Sequence, residues 1–395
     1  MYLADPGNTR CGVYFAGSGV LASLHFKMAR KTHARIHPDQ VHAFRLRRHH
    51  LLDSKPTGIV RIAGEICGVQ AQVMSSAQMA LWARNHSVTR EEIETALWQK
   101  RSLVKTYLMR RTLHLVPARD FSLYIAALRQ SRVAPLLRVM ARCGVDQNEA
   151  DALTGVIVDL LASGPMSKTA LTKAVRPKIS KRVRAWMDKV SSIMPLPAAE
   201  GQVCYADDRG GESVFVRIDQ WLPKQEAISA EAAQIVLFRR YLRAYGPATV
   251  QDFAHWSGLP MPQVKQVREL LRDELAVTGE DGKGLLLKDD YETLRGLSPD
   301  GPTVRLLPGF DPYLLAHAVK EHLLEPRFYK QVYRNQGWIS PVILIGGKVA
   351  GIWSHRMQGG RGVLDIKPFA KPSSRVRSEI DAEAASLLKF LDRAG

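Results

Sequence analysis

Gln70 and Gln72 stand one residue apart in the stretch GVQAQVMSS, around Ala71 and just ahead of a helical run of serine, glutamine and apolar residues. An amide both donates and accepts hydrogen bonds. At a surface turn, paired amides ordinarily do no more than solvate, so a chemical role needs support from the rest of the chain. A second candidate set lies in KTYLMRRTLHLVPA. Read as one strand over Leu108 to Val116, it alternates, which puts Arg110, Thr112 and His114 on one face and Met109, Arg111, Leu113 and Leu115 on the other. A cation, a hydroxyl and an imidazole together suit phosphate or sugar contacts, although an ordinary half-exposed strand has the same pattern. Basic side chains supply the third set. Lys178, Lys181, Arg182, Arg184 and Lys189 crowd one predicted helix, and Arg45, Arg47 and Arg48 surround another. Such a helix is either a solvated face or a nucleic-acid reader.

Several other chemistries are excluded. The chain has no Gly-x-x-x-x-Gly-Lys-Ser/Thr phosphate loop and no Gly-x-Ser-x-Gly nucleophile elbow. Gly346-Gly347-Lys348 reads as a hairpin turn. His317 and His322 miss the zinc-hydrolase spacings, because residues five apart on a helix of ~3.6 residues per turn fall about 140° apart. Cys11, Cys67, Cys143 and Cys204 form no Cys-x-x-Cys pair, so no zinc ribbon or iron-sulfur cluster is expected and a reduced, cytoplasmic setting fits. Asp311, beside Pro312 in LLPGFDPYLL, reads as a turn former.

The elements that must position these residues follow a repeated theme of helix, turn, helix and hairpin. It is clearest over about 231–290, where a helix with Ile235, Leu237, Phe238 and Leu242 stops at Gly246-Pro247. A short helix from Thr249 to Trp256, a turn at Gly258-Leu259-Pro260 and a helix with Val264, Val267, Leu270 and Leu271 follow. LAVTGE and GLLLKD then close a hairpin across Glu280-Asp281-Gly282-Lys283.

An earlier copy has a helix to Ser163, the breaker Gly164-Pro165, a helix from Lys168 to Val175, the basic helix through Val183 and Trp186, and a hairpin joining QVCYAD to SVFVRI. The first copy starts at His37-Pro38-Asp39, with a helix through Val41, Phe44, Leu46 and Leu51 and a second from Ile59 to Ile66. Aligned on Gly68 and Gly258, it places both glutamines in the turn that leads into its third helix.

From about Gly301 strands dominate, in TVRLLPGF, ISPVILIGG, KVAGIWSH and GVLDIKPF, before a final helix from Ala382 to Leu391. The fold class is therefore mainly α with β wings, in tandem winged-helix units followed by a small C-terminal antiparallel β-barrel. The boundaries are 37–145, 146–228, 229–298 and 299–395, after a basic, disordered extension over 1–36, with Met28 as an alternative start.

With 56 Lys and Arg against 38 Asp and Glu, the 395-residue chain carries a formal charge of +18. That field attracts polyanions, nucleic acid first. A membrane is disfavoured, since no basic amphipathic helix and no bilayer-length apolar run is present. Val13 to Phe26 imitates a signal-peptide core, but Asp5 precedes it and no clean cleavage site follows.

Taken together, the three helical units, GVQAQ, RRTLHLVPA, LLPGFDPYLLAH and VILIGGKVAGIW resemble the AlkZ/YcaQ family of bacterial winged-helix DNA glycosylases, over about residues 37–370. The resemblance implies a C-shaped arrangement with a basic concave face for duplex DNA, and excision of alkylated purines, including guanines held in interstrand crosslinks. The family's signature of glutamine, apolar residue, then glutamine or aspartate is matched by Gln70-Ala71-Gln72. Gln70 and Gln72 are thereby expected to hold the attacking water, with Gln72 nearer to it. Arg110, Thr112 and His114 match the family's arginine, any residue, threonine, leucine, histidine pattern.

Chemistry agrees with neutral glutamines, because an N7-alkylated guanine already carries positive charge and its glycosidic bond is weakened in advance. The expectation is a monofunctional, cofactor-free and metal-free DNA glycosylase, monomeric, cytoplasmic and nucleoid-associated. It would bind damaged double-stranded DNA through Arg110, Thr112, His114, Arg47, Arg48, Lys178, Lys181, Arg182 and Arg184. The rival is a non-catalytic winged-helix transcription regulator. A third reading, an RNA-binding or architectural module, lacks the aromatic sheet motifs of RNA readers.

Overall fold

The helical units are built by caps that can be read residue by residue. Ser229 caps helix Ala230–Tyr245, and Thr249 and Asp252 form a reciprocal capping box at Val250–Ser257. Gly258 ends that helix in the left-handed conformation, at φ 78°. Helix Met261–Leu270 and the hairpin Leu275–Thr278 with Gly284–Leu287 complete the unit. In the preceding unit Asp146 and Glu149 box the start of helix Gln147–Leu160, and Ser167 and Ser180 cap Lys168–Val175 and Lys181–Met187. The first unit has helices Pro38–Arg48, Ile59–Glu65 and Met74–Trp82. A 22-residue helix, Phe121–Arg142, which local periodicity did not single out, joins it to the second unit and packs along Ala230–Tyr245.

This computed structural model describes residues 36–52, 57–207, 211–279, 282–297, 301, 303–358 and 361–392. The N-terminal extension, Cys11 and the hairpin tips at 208–210, 280–281 and 359–360 lie outside them. Structure confirms the mixed helix and sheet class and corrects three expectations. First, KTYLMRRTLHLVPA is two strands. Leu103–Tyr107 and Leu113–Pro117 form an antiparallel hairpin, and the chain turns at 108–112, where Arg110 and Arg111 both take positive φ, 52° and 63°. No glycine announces the turn, so alternation across it fails. Second, Gln70 is on a strand, in a two-residue segment, Val69–Gln70, paired with the hairpin's second strand. Third, the C-terminal sheet is open. Its four antiparallel strands run in the order Arg361–Pro368, Lys348–Gln358, Val342–Ile345, Val304–Leu307, and among the described residues its two edge strands do not pair. Helix Ser374–Asp392 covers it instead, burying Ile380, Leu387 and Phe390. A sheet face buried by a helix needs no closure into a barrel.

The hairpins of the first two units merge. Lys105 pairs with Tyr205, which joins them into one six-stranded sheet with Val69–Gln70 at one edge and Met166–Ser167 at the other. A core extending from Leu46 through Trp82 and Leu97 is continuous with the C-terminal sheet residues Leu306, Ile343 and Trp353. Chain ends distant in sequence thus hold the segment carrying the glutamines from behind.

Candidate active site

The glutamine segment is held in place by main-chain bonds. Val69 lies opposite Leu115 and Gln70 opposite His114, and the Ala71 N–H donates to the Leu113 carbonyl at 2.7 Å. Gly68, just before, turns the chain at φ +95°, and a Cβ there would stand 2.9 Å from Val116 Cγ1. Only glycine fits without displacing the strand. Gln70 is buried to 7% exposure while Gln72 is exposed, so one amide is embedded in the wall and the other faces solvent.

Both amide oxygens are already oriented. Arg110 Nη2 donates to Gln70 Oε1 at 3.0 Å, and the Leu113 N–H donates to Gln72 Oε1 at 3.3 Å. Each oxygen keeps a second lone pair, and both NH2 groups remain as donors. Arg110 is itself anchored, because its Nη1 donates to the Trp256 carbonyl at 2.7 Å in the last turn of Val250–Ser257, the negative end of that helix. Burial lowers the Arg110 pKa to about 10, so the guanidinium stays charged at neutral pH. Structure therefore brings Arg110 to Gln70 through a turn and not through strand alternation, and engages it inside the protein. Trp256 and the exposed His255 beside it were not indicated by any motif, since the helix that carries them lies some 146 residues along the chain from Arg110.

Thr112 and His114 are adjacent but differently placed. The Thr112 hydroxyl donates to the Met109 carbonyl at 3.1 Å, closing the turn. His114 is 2% exposed, with Nδ1 2.9 Å from the Thr112 carbonyl, so Nδ1 carries the proton. Burial first, then the Arg110 charge, pushes its pKa down to about 3. It is a buried, neutral residue paired across the strands with Gln70.

The basic residues do not share one location. Lys178, Lys181 and Arg182 are exposed and Arg184 half-exposed on and just before helix Lys181–Met187, with Arg182 bridged to Glu149 at 3.2 Å. Arg47 and Arg48 lie in the last turn of Pro38–Arg48. Asp311 does form the expected turn, accepting from the Tyr313 N–H at 2.9 Å, and it also pairs with Arg84 in the core. His317 is a buried histidine whose Nε2 is 3.1 Å from the Tyr245 carbonyl. Cys67 is buried and its thiol is pushed up to about 12, which makes it a poor nucleophile.

Acid should unfold this protein through its buried histidines. Burial lowers His42 to about 4 and His114 to about 3, whereas in the unfolded chain both titrate near 6.5. Because the unfolded state binds these protons first, stability is complete above pH ~6.5 and falls as pH drops towards 3. His42 alone accounts for about 3 kcal/mol of that loss. Urea midpoints measured from pH 8 to pH 4 should fall steadily below pH ~6.5; a flat profile would contradict it.

Comparison with known proteins gives a consistent picture. A family model described as "DNA glycosylase AlkZ-like" matches residues 63–390. The chain is 30% identical over 379 residues to an "Interstrand DNA cross-link repair glycosylase" of Streptomyces sahachiroi, covering 89% of this chain and 95% of that one. Its structure resembles the solved Streptomyces sahachiroi DNA glycosylase AlkZ with a TM-score of 0.78 at 27% identity, over 89% of this chain and 96% of the other.

Proposed function

Since this chain belongs to the AlkZ-like DNA glycosylase family, we propose that it hydrolyses the N-glycosidic bond of alkylated purines in duplex DNA, with a water positioned by Gln70 and Gln72. Guanines alkylated at N7 are the substrate class, and the Streptomyces relative's name, which specifies interstrand cross-link repair, supports extending the class to those held in a crosslink. The observation that carries this reading is the oriented amide pair, with the Gln70 oxygen fixed by Arg110 and the exposed Gln72 beside it. In the described residues no carboxylate hydrogen-bonds either glutamine, which suits a leaving group that needs no protonation. The second lone pair of Gln72 Oε1 accepts a hydrogen bond from the attacking water, whose proton passes to solvent as the C–O bond forms and the neutral alkylpurine leaves, and its dipole faces the charge developing at C1′. Gln70, locked by Arg110, keeps the water from drifting, so orientation replaces base strength.

We read the three helical units, over 37–145, 146–228 and 229–298, as winged helices that present this segment to the duplex, and 299–395 as the unit that braces it. Lys178, Lys181, Arg182 and Arg184 are its backbone contacts, with Arg182 exchanging Glu149 for phosphate. Thr112 and His114 shape the wall beneath the lesion. The chemistry requires water and no cofactor, and ends at the abasic site.

The test is incubation with duplex DNA carrying N7-methylguanine, followed by cleavage at abasic sites with alkali. Base release without strand scission before alkali is expected. Tight binding to one undamaged sequence with no base release would replace this reading with the regulator.

A further inference from the structure

Away from the glutamines, six arginines from separate parts of the chain converge on one cleft of about 780 Å³: Arg47, Arg48, Arg61, Arg119, Arg240 and Arg243. It has no residue in common with the Gln70–Arg110 network. Three of these cations have a counterion. Arg240 pairs with Asp120 at 3.0 Å, Arg61 with Glu65 at 2.7 Å, and Arg48 with Asp290. Glu65 is also shared, because its other oxygen is 2.7 Å from His50 Nε2. Asp290 is shared as well: burial pushes its carboxyl up, the charges of Arg48 and Arg243 both act against that, and its Oδ2 is buried without a hydrogen-bond partner. Among the described residues, no carboxylate lies within ion-pair distance of Arg47, Arg119 or Arg243, and all three are exposed.

Six arginines face only Glu65, Asp120 and Asp290 in this cleft, and a protein surface gains nothing from gathering guanidiniums in such excess, since they repel one another. Here they project from the end of one helix, from the turn after strand Leu113–Pro117 and from helix Ala230–Tyr245, so their convergence is fixed by tertiary packing. Guanidinium forks match phosphate oxygens bidentately, and a concave cleft excludes enough water to strengthen the match.

We infer that this arginine cleft is a phosphate-binding site, distinct from the glutamine site, with Arg47, Arg119 and Arg243, the three that form no close ion pair among the described residues, as its ligands. Resting on the glycosylase reading, its occupant is the backbone of a DNA strand flanking the lesion. A free polyphosphate would satisfy the same chemistry.

Two arms separate these sources, using the full chain and the triple variant Arg47→Gln, Arg119→Gln, Arg243→Gln. In the first, undamaged fluorescent duplex is titrated at several salt concentrations, and the slope of log affinity against log salt should become shallower by about 2–3 in the variant, at roughly 0.9 per lost phosphate contact. In the second, millimolar pyrophosphate should raise the melting temperature of the wild type more than that of the variant. A changed slope assigns the cleft to DNA. A lost pyrophosphate shift with an unchanged slope assigns it to free phosphate. With neither change the inference is overturned. Should the triple variant fail to melt cooperatively, Arg243→Gln alone carries the same reading, with a slope change of about 1. Base release by the wild type is scored separately, so a chain that grips phosphate but releases no base sinks the glycosylase reading and leaves the cleft standing.

Discussion

Replacing Gln72 by alanine should slow release of N7-methylguanine from duplex DNA by about 10²–10³-fold, the cost of removing one preorganised dipole from a transition state. DNA affinity should change less than threefold if, as proposed, Gln72 meets the reacting centre and not the backbone. The Leu113 N–H holds Gln72 Oε1, so the side chain is aimed before substrate arrives and loses nothing by reorganising. Gln72→Glu separates the roles of the two amide ends. It keeps an oxygen for both the Leu113 N–H and the water but discards the NH2, so retention within about tenfold assigns catalysis to the oxygen. Gln70→Ala should also be impaired, for a less direct reason. It leaves Arg110 with the Trp256 carbonyl alone and lets the strand edge relax. Single-turnover base release on one synthetic duplex measures all three; a Gln72→Ala rate within threefold of wild type would remove the glutamines from the mechanism.

How far the site was readable from residues depends on the range of the interaction. GVQAQ stands out because its signal is local, and so do the glycine breaker Gly258 and the helix start at Thr249, which the structure shows to be a cap. Arg110 was singled out by strand alternation, whereas it reaches Gln70 from a turn. Alternation along a strand fails where two consecutive residues take positive φ, and neither Arg110 nor Arg111 is a residue that signals a turn. Its partner carbonyl at Trp256 comes from a different helical unit, which no pattern of spacing can indicate. The four C-terminal strands were likewise visible as apolar runs, yet whether such strands close into a barrel depends on what covers their face. Here Ile380, Leu387 and Phe390 of the last helix do so.

The merged sheet shows the same limit in another form. The second hairpin has its own turn and alternation and reads as an independent wing, while the first reads as a single strand. Only the pairing of Lys105 with Tyr205 reveals that the first two units share one sheet, and that Val69–Gln70 is its edge. An edge strand keeps unpaired main-chain groups along one side. The glutamine segment is therefore bonded along Leu113–Pro117 and buried through Val69, Gln70 and Ala71, and it reaches solvent at Gln72.

Asp311→Ala should cost about 3–5 kcal/mol of folding stability, the largest effect expected of any single change away from the glutamines. Asp311 and Arg84 form a bidentate pair, both bonds 2.8 Å long, with neither side chain exposed to solvent. They tie the turn after helix Met74–Trp82 to the C-terminal unit across 227 residues of sequence. Arg84 also donates to the Ala80 carbonyl and lies 3.2 Å from His49 Nδ1, which burial and the Arg84 charge keep neutral and able to accept. Without the carboxylate, a buried guanidinium keeps only neutral partners and its desolvation is no longer offset. Asp311→Asn tests the division of labour, since an amide oxygen still caps the Tyr313 N–H but supplies no charge. It should recover about 1 kcal/mol relative to alanine. The double change Arg84→Met with Asp311→Leu removes both charges and should be less destabilised than either single charge deletion. Urea denaturation of the four proteins decides the matter. A double variant at least as unstable as the Asp311→Ala protein would show that shape at this junction, and not charge, joins the glutamine-bearing unit to its brace.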